Sequence, residues 1–209
     1  MSRITTENNK ITVSGWIVSE FEYNHEIFGE KFYIAQLSVE RRSGTSDILP
    51  ITVSDRMIDV SKEWAGQFVK VSGQFRSYNK HEGEKTRLIL SIFALEFAVW
   101  EDDGTTRPID ENYIKLDGYI CKSPIYRKTP LGREIADLVL AVNRPYGKSD
   151  YIPCICWGRD ARFMAGRNIG THIKLIGRLQ SREYLKKYED GTQETRTAYE
   201  VSASVVEKL

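Results

Sequence analysis

The sequence predicts an all-β protein built as two tandem five-stranded barrels, each with a short helix between its third and fourth strands. Three observations carry this. The chain repeats itself across its midpoint, each copy reads as five short strands in one order, and glycines fall inside strands where a small closed sheet must bend. "ILPITVSDR" (Ile48 to Arg56) lies over "YIPCICWGR" (Tyr151 to Arg159). Gly15 over Gly118, Arg41 over Arg144, Asp47 over Asp150 and Pro50 over Pro153 all share the same ungapped shift of 103. "GQFVKVSGQF" over "GTHIKLIGRL" follows at a shift of 104, and "TRLILSIFA" over "TRTAYEVSA" at 109, so the second copy carries small insertions. Two copies are too few for a solenoid and suit two homologous domains of about 100 residues.

Each copy opens with a strand, "ITVSGWIV" or "IKLDGYIC", followed by a turn-rich stretch ending at Gly29 or Gly132. The second strand puts Ala35, Leu37 and Val39 on one face, matched by Leu138, Leu140 and Val142. The third is the quoted repeat. A helix-like segment follows, "RMIDVSKEWAG" or "RDARFMAGRNIG". Then come "FVKVSGQF" or "HIKLIGRL", a charged hairpin loop, and a last strand. Five strands with a helix between the third and fourth is the order of an OB-fold barrel. Gly15, Gly73, Gly118 and Gly177 lie within strands, where glycine marks bulges and bends. The boundaries expected are residues 1–100 for the first domain, 113–209 for the second, and an acidic linker over 101–112, "EDDGTTRPIDEN" without apolar periodicity.

Composition narrows the function. With 41% hydrophobic and 28% charged residues in 209, the chain is an ordinary folded protein. No run approaches the roughly 18 apolar residues of a membrane span, and "MSRITTENNK" has no apolar core for a signal peptide. Cys121, Cys154 and Cys156 read as reduced core residues of a cytoplasmic protein. His25, His81 and His172 form no ligand pattern, so neither metal nor cofactor is expected. No GxSxG, P-loop or HExxH is present, and Asp102 and Asp103 sit in the linker, so the chain reads as no enzyme. The net charge of +1 hides an asymmetry: twelve Lys and Arg against sixteen Asp and Glu up to Asp103, then eighteen against thirteen. A polyanion would favour the second half.

The third strand of that half, "SDYIPCICWG", splits at the two-residue period. Ile152, Cys154 and Cys156 form a small apolar face. Tyr151, Pro153, Ile155 and Trp157 form the other, with two large aromatics on a face the core does not need. "LAVNRPYGKSDYIPCICWGRDA", "GRLQSREY" and "AYEVSA" together resemble the bacterial single-stranded-DNA-binding protein family, over 112–209 with good specificity and over 10–97 mainly through the repeat. The resemblance implies that bases stack on Tyr151, Trp157 and Tyr184, with Arg144 and Tyr146 near a fourth position and Arg159 and Arg182 meeting phosphate. Lys186 and Lys187, with Tyr188, suit either an arm over nucleic acid or a plain polar hairpin. Tyr151 and Trp157, six residues apart, stand on the order of 20 Å apart along a strand, enough for separate bases. Flat rings serve any base, and neighbouring cations release counterions from the backbone.

In the first copy, Ile48, Ser54 and Lys80 stand opposite Tyr151, Trp157 and Tyr184, so that barrel is expected to serve assembly or to extend the groove weakly. Members with two barrels per chain form dimers, which implies a homodimer with four barrels. The family's acidic recruitment tail has no counterpart after "VSASVVEKL", which suggests an auxiliary or element-encoded paralogue. The other readings are an assembly module of primosome or mobile-element type, and an RNA binder.

Overall fold

The computed structural model describes residues 7–83, 85–101, 110–188 and 190–209; the first six residues and most of the expected linker lie outside the described residues. The first copy forms β1 (Asn9–Ile17), β2 (Glu22–Ile27), β3 (Glu30–Glu40), β4 (Ser46–Ser54), β5 (Phe68–Glu82) and β6 (Lys85–Val99). The second forms β7 (Asn112–Ile120), β8 (Ile125–Lys128), β9 (Glu134–Asn143), β10 (Ser149–Trp157), α1 (Gly158–Ala165), β11 (His172–Lys187) and β12 (Gln193–Lys208).

Each copy closes into a five-stranded ring. β1 pairs with both β5 and β3, and β4 runs parallel to β6, completing the first barrel. β7, β9, β10, β12 and β11 close the second in the same way. Closure removes exposed edges from the ring. The faces expected to be apolar are buried: Ala35, Leu37 and Val39 in one barrel, Leu138, Leu140 and Val142 in the other, with Ile152, Cys154 and Cys156 beneath the candidate face. Ladder irregularities fall at Gly73 and Gly177. A Cβ there would stand 2.1 Å from the carbonyl oxygen of Phe93 or Ser202, so only glycine fits.

Three local expectations need correction. The turn-rich stretches contain strands: β2 and β8 are hairpin partners of β3 and β9 outside the rings. The charged loop of the second copy is mostly ladder, since β11 and β12 stay paired out to Lys187 and Gln193. Among the described residues only the second barrel has the helix. Its Ala161 and Met164 are buried, whereas the counterpart after β4 is a series of turns. There the Asp59 carboxylate accepts the Ser61 backbone N–H and hydroxyl at 3.1 and 2.6 Å, and the Trp64 indole donates to the Asp59 carbonyl at 2.9 Å. Such local bonds compete with a helical ladder. Trp64 packs edge-on against Phe21 and Phe97, at 6.0 and 5.4 Å between ring centroids.

The barrels join through an antiparallel β1–β7 pairing, from Asn9 opposite Leu116 to Val13 opposite Asn112. The junction has approximate two-fold symmetry. Asn9 exchanges both amide bonds with Phe75, at 2.8 and 2.9 Å, as Asn112 does with Leu179, at 2.7 and 2.8 Å. Buried Asp47 accepts the Ser181 N–H at 2.7 Å, and buried Asp150 accepts the Ser77 N–H at 2.6 Å. Each carboxylate is neutralised from its own barrel, by Arg41 or Arg144. Among the described residues no helix is long and apolar enough to cross a membrane.

Candidate nucleic-acid interface

Strand alternation on β10 turns Tyr151 and Trp157 outward, 47% and 38% exposed. Ile155, expected on the same face, is 5% exposed and lies in the floor of a shallow cleft. Trp157, Gln180, Arg182 and Glu200 line the same cleft, with Arg127 and Asp137. The indole is held in place, because Trp157 Nε1 donates to Ser202 Oγ on β12 at 3.0 Å. Gln180 donates to Glu200 at 2.7 Å and is thereby satisfied despite its burial.

The face continues along the projecting hairpin. Residues 180, 182, 184 and 186 of β11 share one side of the strand. The Arg182 guanidinium lies 5.9 Å from the Tyr184 ring centroid, and Tyr184 is 38% exposed. Lys186 lies 5.1 Å from the Tyr188 centroid, and Lys187 is exposed. Arg196, opposite Tyr184 in the ladder, donates to Glu194 and to the Tyr188 hydroxyl, each at 2.8 Å. The Tyr188 hydroxyl also donates to Glu194, and that bond first, then the one from Arg196, keeps the Glu194 carboxyl ionised to lower pH.

The other expected residues divide. Tyr146 is 94% exposed, at positive φ in a single 3-10 turn between β9 and β10. Arg159 stands at the start of α1, its side chain 92% exposed. Arg144, expected near a base, has a different job. Its guanidinium is bound to Asp150 and to the Ser77 carbonyl at 2.6 and 2.9 Å inside the junction. A buried carboxylate needs that charge more than solvent does. The cysteines add no chemistry to the face. Burial raises the Cys154 thiol well above its ordinary range and the Cys156 thiol to about 12. Cys121, expected in the core, is half-buried and donates to the Val139 carbonyl. Among the described residues no cluster of His, Cys, Asp and Glu is placed to hold a metal.

Sequence reasoning missed Ser202 as the anchor of Trp157, and placed Asp47 and Asp150 in the repeat without seeing that they bind across the junction. The repeat aligns Ser202 with Phe93, a small residue against a large one, and that contrast was the available signal.

Two closed five-stranded barrels, one turning aromatic rings and cations outward, define a tandem OB-fold binding protein. The single-strand binding protein family model matches residues 111–209. A single-stranded DNA-binding protein of Clostridium tetani is 36% identical over 105 residues, covering 47% of this chain and 70% of that protein. Single-stranded DNA-binding protein A of Bacillus subtilis is 36% identical over 80 residues, covering 35% of this chain and 46% of that one. The wild-type single-stranded DNA binding protein of Thermus aquaticus shares the fold over 96% of this chain and 92% of its own, with a TM-score of 0.69 at 20% identity. This chain belongs to the single-strand binding protein family, a family of binding proteins rather than enzymes.

Proposed function

We propose that the protein binds single-stranded DNA with little regard to sequence, mainly on the second barrel, and so supports replication, recombination or repair. The observation that carries this is one face on which Trp157, Tyr151 and Tyr184 stand with Arg182 and Lys186, with Lys187 next to it on the other side of β11. Rings of this kind stack on any base, and cations beside them neutralise phosphates. Tyr146 and Arg159 extend the surface at either end of β10. The domains are residues 1–100 and 113–209, joined through 101–112, the first contributing less to binding.

The assembly we favour is a homodimer with four barrels. Its support is the family resemblance, together with exposed Trp16, Tyr113 and Tyr119 on the outer side of β1 and β7. Sedimentation at micromolar concentration tests it, and a monomer there would refute it. The buried thiols suit a reducing cytoplasm.

The deciding experiment is a titration of oligo-dT against tryptophan fluorescence at low and high salt. Quenching that weakens with salt and disappears in Trp157→Phe is the expected result. Absence of both quenching and retention at low salt would overturn the reading. A parallel titration with oligo-U measures the preference for DNA over RNA.

A further inference from the structure

The first barrel lacks an aromatic where the second has Trp157, yet the ring is not lost from its outer face. β4 pairs with β6 as β10 pairs with β12: Thr52 opposite Phe93 matches Ile155 opposite Ser202. Phe93 therefore occupies the place of Ser202, and Ser54 that of Trp157. Large and small residues have exchanged strands. Ser54 is buried, its hydroxyl donating to Glu30 at 2.6 Å, so β4 offers no ring. Phe93 is half-buried beside Phe32, at 5.5 Å between centroids, and Phe32 in turn stacks on His25 at 4.9 Å and 14°.

The Phe93 face carries a flat group already. The Arg76 guanidinium lies 3.7 Å from the ring centroid, held by the Gln74 side-chain oxygen at 3.2 and 2.8 Å. A planar cation stacked on an aromatic ring fills the same slab of space as a nucleobase. The strand that carries Arg76 also contacts the second barrel. Ser77, next to Arg76, accepts the Tyr151 N–H through its hydroxyl at 2.8 Å and donates its own N–H to Asp150. β5 thus touches the second barrel beside Tyr151 through Ser77, one residue from Arg76, which points to the other side of the strand.

We propose that Phe93 is a nucleobase-stacking position of the first barrel, covered in the free protein by Arg76, which a base displaces toward phosphate. Stacking of a base on a ring is the stronger contact at a surface, and the displaced guanidinium gains a phosphate partner. The proposal rests on the single-stranded DNA reading above and deepens it: one strand runs from the aromatic face of the second barrel onto a relocated aromatic in the first.

The test uses the full chain and oligo-dT bearing photoreactive 5-iodo-deoxyuridine, with cross-linked residues mapped by mass spectrometry. Cross-links at Phe93 alongside those at Trp157 or Tyr184 are expected. Phe93→Leu keeps the packing but removes the ring. It is expected to abolish that cross-link and to weaken a long oligo-dT by about tenfold, while a short oligo spanning one barrel binds as before. Cross-links confined to the second barrel, with the variant binding long oligo-dT like the parent, would overturn the proposal and leave the broader reading standing. No cross-link to either barrel and no retention would remove both. Should the variant fail to fold, the cross-link map of the unaltered chain still decides.

Discussion

Asp150 accepts the backbone N–H of Ser77 at 2.6 Å across the boundary between the two barrels. Asp47 and Ser181 repeat the contact on the other side of the pseudo-two-fold axis. The two sites are not equal. Arg41 grips Asp47 through two bonds, at 2.8 and 2.5 Å, and Arg178 approaches to 3.6 Å. Arg144 reaches only Oδ1 of Asp150, and among the described residues Asp150 Oδ2 and Arg144 Nε have no hydrogen-bond partner. Removing one member of a well-made buried pair strands the other.

Asp47→Ala should therefore cost about 3–5 kcal/mol, and Asp150→Ala less, roughly 1–3 kcal/mol. Urea denaturation with an unchanged slope would read both. Equal costs would show that the missing second contact at Asp150 has no energetic weight.

The same asymmetry gives a pH signature. Burial raises the Asp150 carboxyl above its ordinary 3.8, and the bonds from Ser77 and Arg144 offset this only in part. A carboxyl raised in the fold contributes stability that is present below the unfolded value and lost as pH rises through the folded value. The stability of the parent minus that of Asp150→Asn should thus shrink as pH rises from about 3.5. Shared carboxylates cancel in the difference. A flat difference across that range would place the Asp150 carboxyl at its unfolded value.

Trp157→Ala should weaken oligo-dT by about 5–150-fold, the range of one lost base stack. Combined with Tyr151→Ala the loss should reach several kcal/mol at most, with the circular dichroism of the barrel unchanged. Ser202→Ala frees the indole bonded to it at 3.0 Å. Weakening of a few-fold is expected there, with quenching retained. A double variant that binds like the parent would move the interface elsewhere.

Cations on the face and in the junction separate by salt. Each phosphate contact on a single strand contributes about 0.7 to the slope of log affinity against log salt. Lys186→Ala with Lys187→Ala should lower that slope by about 1.4. Arg144→Ala should leave it unchanged and instead lower the unfolding midpoint. A slope altered by Arg144→Ala would return that residue to the nucleic-acid face.

The repeat, the barrels, the buried faces of β3, β9 and β10 and the outward turn of Tyr151 and Trp157 were all legible in the sequence. A strand alternates its side chains by backbone geometry alone, and a repeated core pattern follows from repeated packing. What the tertiary structure decided is where distant segments meet. Arg144 and Arg182 are the same residue type near the same strands, yet one lies in the junction and the other on the face. The difference comes from Asp150 and Ser77, brought together over 73 positions of chain. The exchange of Trp157 and Ser202 for Ser54 and Phe93 likewise depends on a parallel pairing between strands far apart in the sequence. Local periodicity assigns a side chain to a face; only closure of the barrels and their pairing through β1 and β7 determines what that face touches.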